Sequence, residues 1–227
     1  MIPARLNSRR IPRKNLAPFC GGSLLEIAVT KAIDSKLFDK VYVNSPDEEI
    51  LQISADLGAI PYRRSQELDE PEVTNADFVR DFFSNVDCLD MYMVNTTSPL
   101  LSQETIRSFI EFTEMSGYDT VMSVRVEQAP ILFNGRPCNF SFDRHTPSEQ
   151  LTPYQKIVWA ITYWDKKTFM ANRCGTYAGK IGLFDVPKLE ALDLDTREDW
   201  RIAEEVYRSL YGRFTRWTGF FPELGGE

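Results

Sequence analysis

Ile2-Pro3-Ala4-Arg5-Leu6-Asn7-Ser8-Arg9-Arg10-Ile11-Pro12-Arg13-Lys14-Asn15-Leu16 is the stretch that sets the fold. A short apolar start gives way to a polar run broken by Pro12. That pattern reads as a strand end followed by a loop at the carboxyl edge of a sheet, where open α/β sheets bind their ligands. Arg5, Arg9, Arg10, Arg13 and Lys14 put five cations within ten residues of a chain whose formal net charge is −7. Such a cluster suits a polyanion, with guanidinium, ammonium and loop N–H donors meeting phosphate oxygens. The competing reading is a basic arm that stays solvated or touches nucleic acid. Ile11, Pro12 and Leu16 alternate with the cations, as in an ordered loop, and the acidic remainder of the chain disfavours a DNA-backbone binder. No GxxxxGK(S/T) or GxGxxG string is present, so this is neither a Walker loop nor a dinucleotide loop.

Outward from this loop, strand and helix patterns alternate, which predicts a largely parallel sheet with helices on both faces. Ser23 to Ser35 carries Leu24, Ile27, Ala28 and Ala32 at helical spacing, and Lys40 to Asn44 reads as the next strand. Ser45-Pro46-Asp47-Glu48 predicts a capping box, with Ser45 as the cap, Pro46 first in the helix and Gly58 at its end. A short strand closes at Tyr62, and Arg64 to Val73 is a polar loop. Thr74 caps a helix holding Phe78, Phe82 and Phe83, and Met91 to Val94 is the central buried strand. It runs into Asn95-Thr96-Thr97-Ser98-Pro99-Leu100, again at a carboxyl end. A helix over 102–115 and a strand over 120–126 follow. The rhythm then changes: Asn134-Gly135 is a strong hairpin pair, and the residues to Trp159 are polar and irregular, an antiparallel excursion. Strands are expected at 160–164 and 178–184, and a last helix from Thr196 to about Leu210. Trp217, Phe220 and Phe221 in the tail are expected to pack on the body.

At 227 residues and 43% hydrophobic composition, the chain is long enough for one sizeable core, a single domain over 1–227. No apolar run approaches the roughly 18 to 20 residues of a membrane span, and no signal peptide precedes the basic loop. The expectation is a cytoplasmic protein that engages neither membrane nor nucleic acid. Cys20, Cys88, Cys138 and Cys174 include no CxxC pair, and are expected to be reduced packing residues rather than zinc ligands. The single histidine, His145, sits between Arg144 and Thr146-Pro147 in a loop-like setting, which makes it an incidental surface residue rather than a member of a triad.

Leu192-Asp193-Leu194-Asp195-Thr196-Arg197-Glu198-Asp199-Trp200 is the second informative segment. Two carboxylates one residue apart can chelate a hard cation, and magnesium takes one or two carboxylates together with waters and phosphate oxygens. The alternative is that aspartates at a helix start serve only as caps. The phosphate loop at the other end of the chain favours the metal.

IPARLNSRRIPRKNL, followed by Gly22-Ser23-Leu24-Leu25-Glu26, resembles the opening of the acylneuraminate cytidylyltransferases, the CMP-sialic acid synthetases. Their pattern runs roughly IPAR-x-x-S-K-x-x-P-x-K-N-(L/I) and then G-x-(S/P)-L. Lys14-Asn15 favours this branch over the Kdo cytidylyltransferases, where the pair is usually Lys-Pro. Thr97 to Leu100 matches the end of the family's Q-P-T-S-P-L, with Asn95 in place of glutamine. Arg64 to Leu68 resembles R-P-x-E-L, and Asp193 to Trp200 resembles ID-x-D-T-x-x-D-(L/F/W), with Asp199 left to the helix cap.

The resemblance implies a three-layer, Rossmann-like nucleotide-diphospho-sugar transferase fold with a mostly parallel sheet. It implies a homodimer, built through an inserted arm over 128–159 that would bury Phe133, Phe140 and Phe142. The implied chemistry is Mg2+-dependent transfer of CMP from CTP to an acidic, sialic acid-like 2-keto sugar. Arg5, Ser8, Lys14, Asn15, Arg64, Asn75 and Asn95 would meet the nucleotide. Asn95, Thr97, Ser98 and Tyr163 would meet the sugar, and Asp193 and Asp195 the metal. Arg5, Lys14 and Asp195 would act in catalysis.

Departures from the pattern cluster at the sugar. The family's R-x-N-G-A-(I/F)-Y appears as Ile157-Val158-Trp159-Ala160-Ile161-Thr162-Tyr163, and a basic residue usual near Ile131-Leu132 is absent. Pro46 stands where the S-T-D turn is expected to carry its aspartate. Only four residues precede the loop arginine, so the first strand is expected to be short or to begin upstream. A nucleotidyltransferase for another sugar, a sugar-nucleotide glycosyltransferase and a non-catalytic nucleotide-binding homologue remain as alternatives.

Overall fold

Ile2 is fully buried, and with Pro3 it forms the two-residue strand β1 around which two sheets are joined. In this computed structural model, residues 1–70, 72–173 and 175–214 are described. β1 pairs in parallel with β2 (Tyr42–Ser45), and β2 in parallel with β3 (Ile60–Arg63). On its other side, the Met1 ammonium donates to Tyr92 O at 2.7 Å and Met1 O accepts from Val94 N–H at 3.1 Å, a parallel hydrogen-bond pattern. Those two contacts connect β1 to β4 (Asp90–Val94). Beyond β4 come β6 (Tyr154–Asp165), β5 (Thr120–Glu127) and β7 (Ile181–Asp185), with β6 antiparallel to both neighbours and β7 parallel to β5. The sheet is therefore mostly parallel, as the alternating pattern predicts.

Helices cover both faces, which makes three layers. α1 (Leu24–Ser35), α2 (Glu48–Asp56) and α4 (Gln103–Ser116) bury Leu25, Val29, Ile50, Ile106 and Phe109 against Val43, Val94 and Ile161. On the opposite face, α3 (Asn75–Asn85) and α5 (Lys166–Ala171) bury Phe78, Phe82, Phe83 and Phe169 against Met91, Met93 and Trp164. Strand alternation explains the division, because Met91 and Met93 face one layer while Tyr92 and Val94 face the other. α6 (Arg197–Tyr211) packs on a small hairpin, Pro18–Phe19 with Gly22–Ser23, where Phe19 meets Trp200 edge-on at 5.2 Å.

Three boundaries differ from the sequence reading, the first two for non-local reasons. Ser45 stays in β2 rather than capping α2. Its hydroxyl accepts the N–H of Asp47, and Asp47 in turn accepts the N–H of Leu6 at 2.8 Å, so the helix starts only at Glu48. The turn thus carries its aspartate at Asp47, one residue past Pro46. β6 begins six residues before the expected Ala160, because Tyr154 to Ile157 pair with β5 before a register shift between Ile157 and Thr162. β7 starts at Ile181 because Gly179, at φ 70°, turns the chain first.

Asn134 and Gly135, at φ 49° and 75°, form the expected tight turn between Leu132–Phe133 and Arg136–Pro137. This excursion turns Leu132, Phe133 and Phe142 outward, with Phe140 edge-on to Phe142 at 5.6 Å. Among the described residues no helix is long and apolar enough to cross a membrane. Cys20, Cys88 and Cys138 are free thiols. Cys174 and the tail aromatics Trp217, Phe220 and Phe221 lie outside the described residues.

Candidate active site

The loop after β1 is tied down at both ends. Leu6 N–H is held by Asp47, while the Asn15 side chain donates to Arg5 O at 2.8 Å and accepts from the Thr96 hydroxyl at 2.6 Å. Asn15 is buried, so its amide joins the start of the loop, its end and the loop after β4 in one knot. Arg13 takes a left-handed φ of 51° and turns out to Glu49 at 2.5 Å. The other four loop cations, Arg5, Arg9, Arg10 and Lys14, line a cleft of about 880 Å³, together with Ser8 and Asn15.

The opposite end of the chain meets this loop. Leu194 is fully buried and donates its N–H to Thr97 O at 2.9 Å, which fixes the aspartates on either side of it. The Lys14 ammonium donates to Leu194 O at 2.7 Å and lies 3.8 Å from Asp195, whose other oxygen is 3.0 Å from Arg10. Burial pulls the Lys14 pKa below the usual lysine range, and Asp193 and Asp195 oppose that pull. Burial raises the Asp193 carboxyl, with Asp195 adding to the rise and a hydrogen bond with Thr97 and the Lys14 charge opposing it. Asp199 accepts from the N–H groups of Asp195 and Thr196 and from the Thr196 hydroxyl, and so closes the α6 capping box.

Asp193 Oδ1 is buried without a hydrogen-bond partner. An orphaned carboxylate oxygen beside a second carboxylate is the donor chemistry that a hard divalent cation takes. Among the described residues no three acidic, histidine or cysteine groups converge, so Asp193 and Asp195 would supply two ligands at most. Waters and phosphate oxygens would have to complete the shell, which suits magnesium.

On the facing wall, Arg64 is 5% exposed and its guanidinium is already committed. It donates to Asn44 O at 2.8 Å, to Asn44 Oδ1 at 3.0 Å and to Asp69 at 2.8 Å, and it sits 5.2 Å over the Phe78 ring. Asp69 also draws in Arg5, at 3.7 Å. Asn75 opens α3 directly after its Thr74 cap, exposed at the cleft, and Thr97 lines it too. Asn95 lines the cleft while its amide donates to Trp159 O at 2.5 Å.

Two residues expected at the sugar do not line the cleft. Ser98 is buried in the tight turn that its N–H makes with Asn95 O. Tyr163 lies past the register shift in β6, and its ring packs on Tyr92 at 5.0 Å against the core.

Four residues of the site carried little signal in the sequence. Asp47 and Asp69 are ordinary loop acids until the fold brings Leu6, Arg5 and Arg64 to them. Lys31 on α1 donates to Pro99 O at 2.7 Å and so braces the loop that holds Thr97; burial of its ammonium pushes the pKa down to about 8, although part of the side chain remains accessible. Trp159 reaches the cleft only because β6 bulges.

Residues 1–156 match the family described as cytidylyltransferase. An N-acylneuraminate cytidylyltransferase from Streptococcus agalactiae is 27% identical over 210 residues, covering 88% of this chain and 51% of the relative. The chain thus spans about half the length of that relative. A pseudaminic acid cytidylyltransferase from Campylobacter jejuni is 26% identical over 226 residues, covering 92% of this chain and 95% of the relative. Among solved structures, a CMP:2-keto-3-deoxy-manno-octonic acid synthetase complexed with CTP superposes with a TM-score of 0.69 at 15% identity, over 92% of this chain and 97% of the other. A 4-diphosphocytidyl-2C-methyl-D-erythritol synthase from Anaerococcus prevotii gives a TM-score of 0.64 at 11% identity, over 91% and 97%. At such identities the likeness is one of fold.

The knot at Asn15 makes a stability prediction. Asn15→Ala leaves Arg5 O and the Thr96 hydroxyl without their partners and should lower the unfolding free energy by roughly 1–3 kcal/mol. Asn75→Ala, at an exposed position, should change it by no more than about 0.5 kcal/mol. Urea unfolding of the two variants beside the parent checks this, and coincident midpoints for all three would show that the clamp contributes nothing.

Proposed function

The chain belongs to the cytidylyltransferase family, and from that premise we propose that it joins CTP to the anomeric hydroxyl of a sialic acid-like 2-keto sugar, giving CMP-sugar and pyrophosphate. The supporting observation is that a four-cation loop and a carboxylate pair from opposite ends of the chain meet in one cleft. A triphosphate with a divalent cation is the ligand that answers both charges at once. The relatives named above are cytidylyltransferases of N-acylneuraminate and of pseudaminic acid, both acidic sugars, which is the reason for the acceptor class.

In the proposed reaction the sugar oxygen attacks the α-phosphorus, the bond to the β-phosphate oxygen breaks, pyrophosphate leaves with that electron pair, and the hydroxyl proton passes to solvent water. Lys14 and Arg10 release Asp195 and turn to phosphate oxygens, and Lys14 follows the charge that builds on the leaving pyrophosphate. Arg5, steadied by Asp69, adds a donor from the loop start, with Ser8 beside it. Asn75 and Asn95 flank the nucleoside. Arg64 acts at one remove, holding Asp69 and Asn44 in place. Asp193 and Asp195 would hold magnesium, which when bound neutralises phosphate charge and polarises the α-phosphoryl oxygen. Little covalent work falls to the protein, so positioning and charge stabilisation carry the rate.

Pyrophosphate release from CTP and magnesium, measured across sialic, legionaminic, pseudaminic and Kdo-type sugars, tests this reading. Release with one of them is expected, together with a drop of roughly 100-fold in Lys14→Ala, the scale of one oriented electrostatic donor. Silence with every sugar while CTP still binds would leave a nucleotide-binding protein rather than an enzyme.

We propose as well that two copies associate through the excursion over 128–159. Leu132 and Phe133 at its tip, with Phe142, are more than half exposed and would supply the apolar part of the contact. Light scattering at micromolar concentration should report twice the chain mass, and a monomer with and without nucleotide would exclude the dimer.

A further inference from the structure

The cleft is electrically lopsided. Its lining cations are Arg5, Arg9, Arg10 and Lys14 of the first loop, and Arg64, which is engaged by Asn44 and Asp69. Asn95, Thr97 and Trp159 are neutral lining residues, Asn95 bonded to Trp159 O and Thr97 interacting with Asp193. Together they offer amide, hydroxyl and indole.

Trp159 is held there by backbone geometry rather than by chance. It has a left-handed φ of 53°, a strained conformation for a bulky residue that persists only where the surroundings enforce it. The enforcement comes from the register shift between Ile157 and Thr162, since a bulge re-aims a side chain that regular pairing would direct elsewhere. The Asn95 amide then locks the carbonyl of Trp159, and the indole packs in part against the α3 layer, 6.2 Å from the Tyr177 ring. A half-buried aromatic face, fixed in advance and set among a few neutral polar groups, is the construction of a site that binds a small organic ring by its apolar face.

We infer that Trp159 is the specificity-determining platform for the acceptor: its indole stacks on the apolar face of a deoxy, N-acylated sugar, and disfavours a ring hydroxylated on that face. Hydroxyls pressed against the indole would lose water without gaining a partner, whereas ring C–H and acyl methyl groups lose nothing by the same burial. The inference rests on the cytidylyltransferase reading, because the platform is useful only beside a bound nucleotide.

Calorimetric titration of CMP and of CMP-N-acetylneuraminic acid into the parent, Trp159→Ala and Trp159→Phe tests it. The parent should bind the CMP-sugar about tenfold more tightly than CMP, the scale of one good aromatic contact. Trp159→Ala should lose that increment while its CMP affinity stays within about twofold, and Trp159→Phe should keep most of it. An increment that survives in Trp159→Ala overturns the inference, as does an equal loss for both ligands, which would mean that the residue only shapes the wall. A parent that binds CMP and the CMP-sugar equally also overturns it while leaving the nucleotide reading intact. A parent that binds neither removes both.

Discussion

The Lys14 ammonium, 2.7 Å from Leu194 O and 3.8 Å from Asp195, is the contact on which the rest of the site depends. It closes a span of 180 residues, and it exists because β1 delivers the basic loop to the same sheet edge at which Leu194 is pinned to Thr97. The charges at this point are only partly reconciled. Lys14 and Arg10 share Asp195, while Asp193 keeps one buried oxygen without a partner. A folded protein that leaves such a group in place gives up stability there, and sites of this kind are commonly the ones that bind ligands. The arrangement is a standoff that a ligand carrying both negative and divalent positive charge would relieve on each side.

Around that contact the polar groups divide into two kinds. Asn15, Asp47, Asp69 and Arg64 spend most of their hydrogen bonds on the protein, and for buried Asn15 and Arg64 burial explains why, since a buried amide or guanidinium left unpaired is costly, although Arg64 Nε keeps no partner. Arg9, Arg10, Asn75 and the accessible part of Asp195 stay at the cleft surface. Motif spacing cannot distinguish the two kinds, because Arg64 and Arg10 look equally available in a sequence. The fold separates them, one sealed against Phe78 and the other facing solvent.

This separation also marks how far the sequence could be read. The helices over 24–35, 75–85 and 103–116 were legible because local signals define them: Thr74 caps as its position predicts, and the periodic patterns that open at Ser23 and Ser102 become helices that those two serines cap. Asn134-Gly135 was legible for the same reason. The basic loop and the aspartate pair announced the two halves of the cleft through charge density alone. Non-local pairing escaped. Ser45 yielded its cap because Asp47 is drawn to Leu6, and β6 grew because Tyr154 to Ile157 found β5. The bulge left Tyr163 to the core and gave the cleft Trp159. An aromatic in an apolar strand pattern carries no sign of which face it will take once the register shifts.

The central claim is that Asp193 and Asp195 exist to hold a divalent cation against a triphosphate carried by the first loop, and that the start of α6 does not need their charge. Titration of CTP into the parent and into Asp195→Asn, each with and without magnesium, tests it most directly. The account predicts that magnesium strengthens CTP binding to the parent. In Asp195→Asn that gain should vanish, while the melting temperature changes little, because Thr196 and Asp199 still cap the helix and the relief of like-charge repulsion with Asp193 offsets the weakened pairs with Lys14 and Arg10. An unchanged magnesium-dependent gain, together with unchanged turnover, would contradict the account and leave the two aspartates as parts of a helix start.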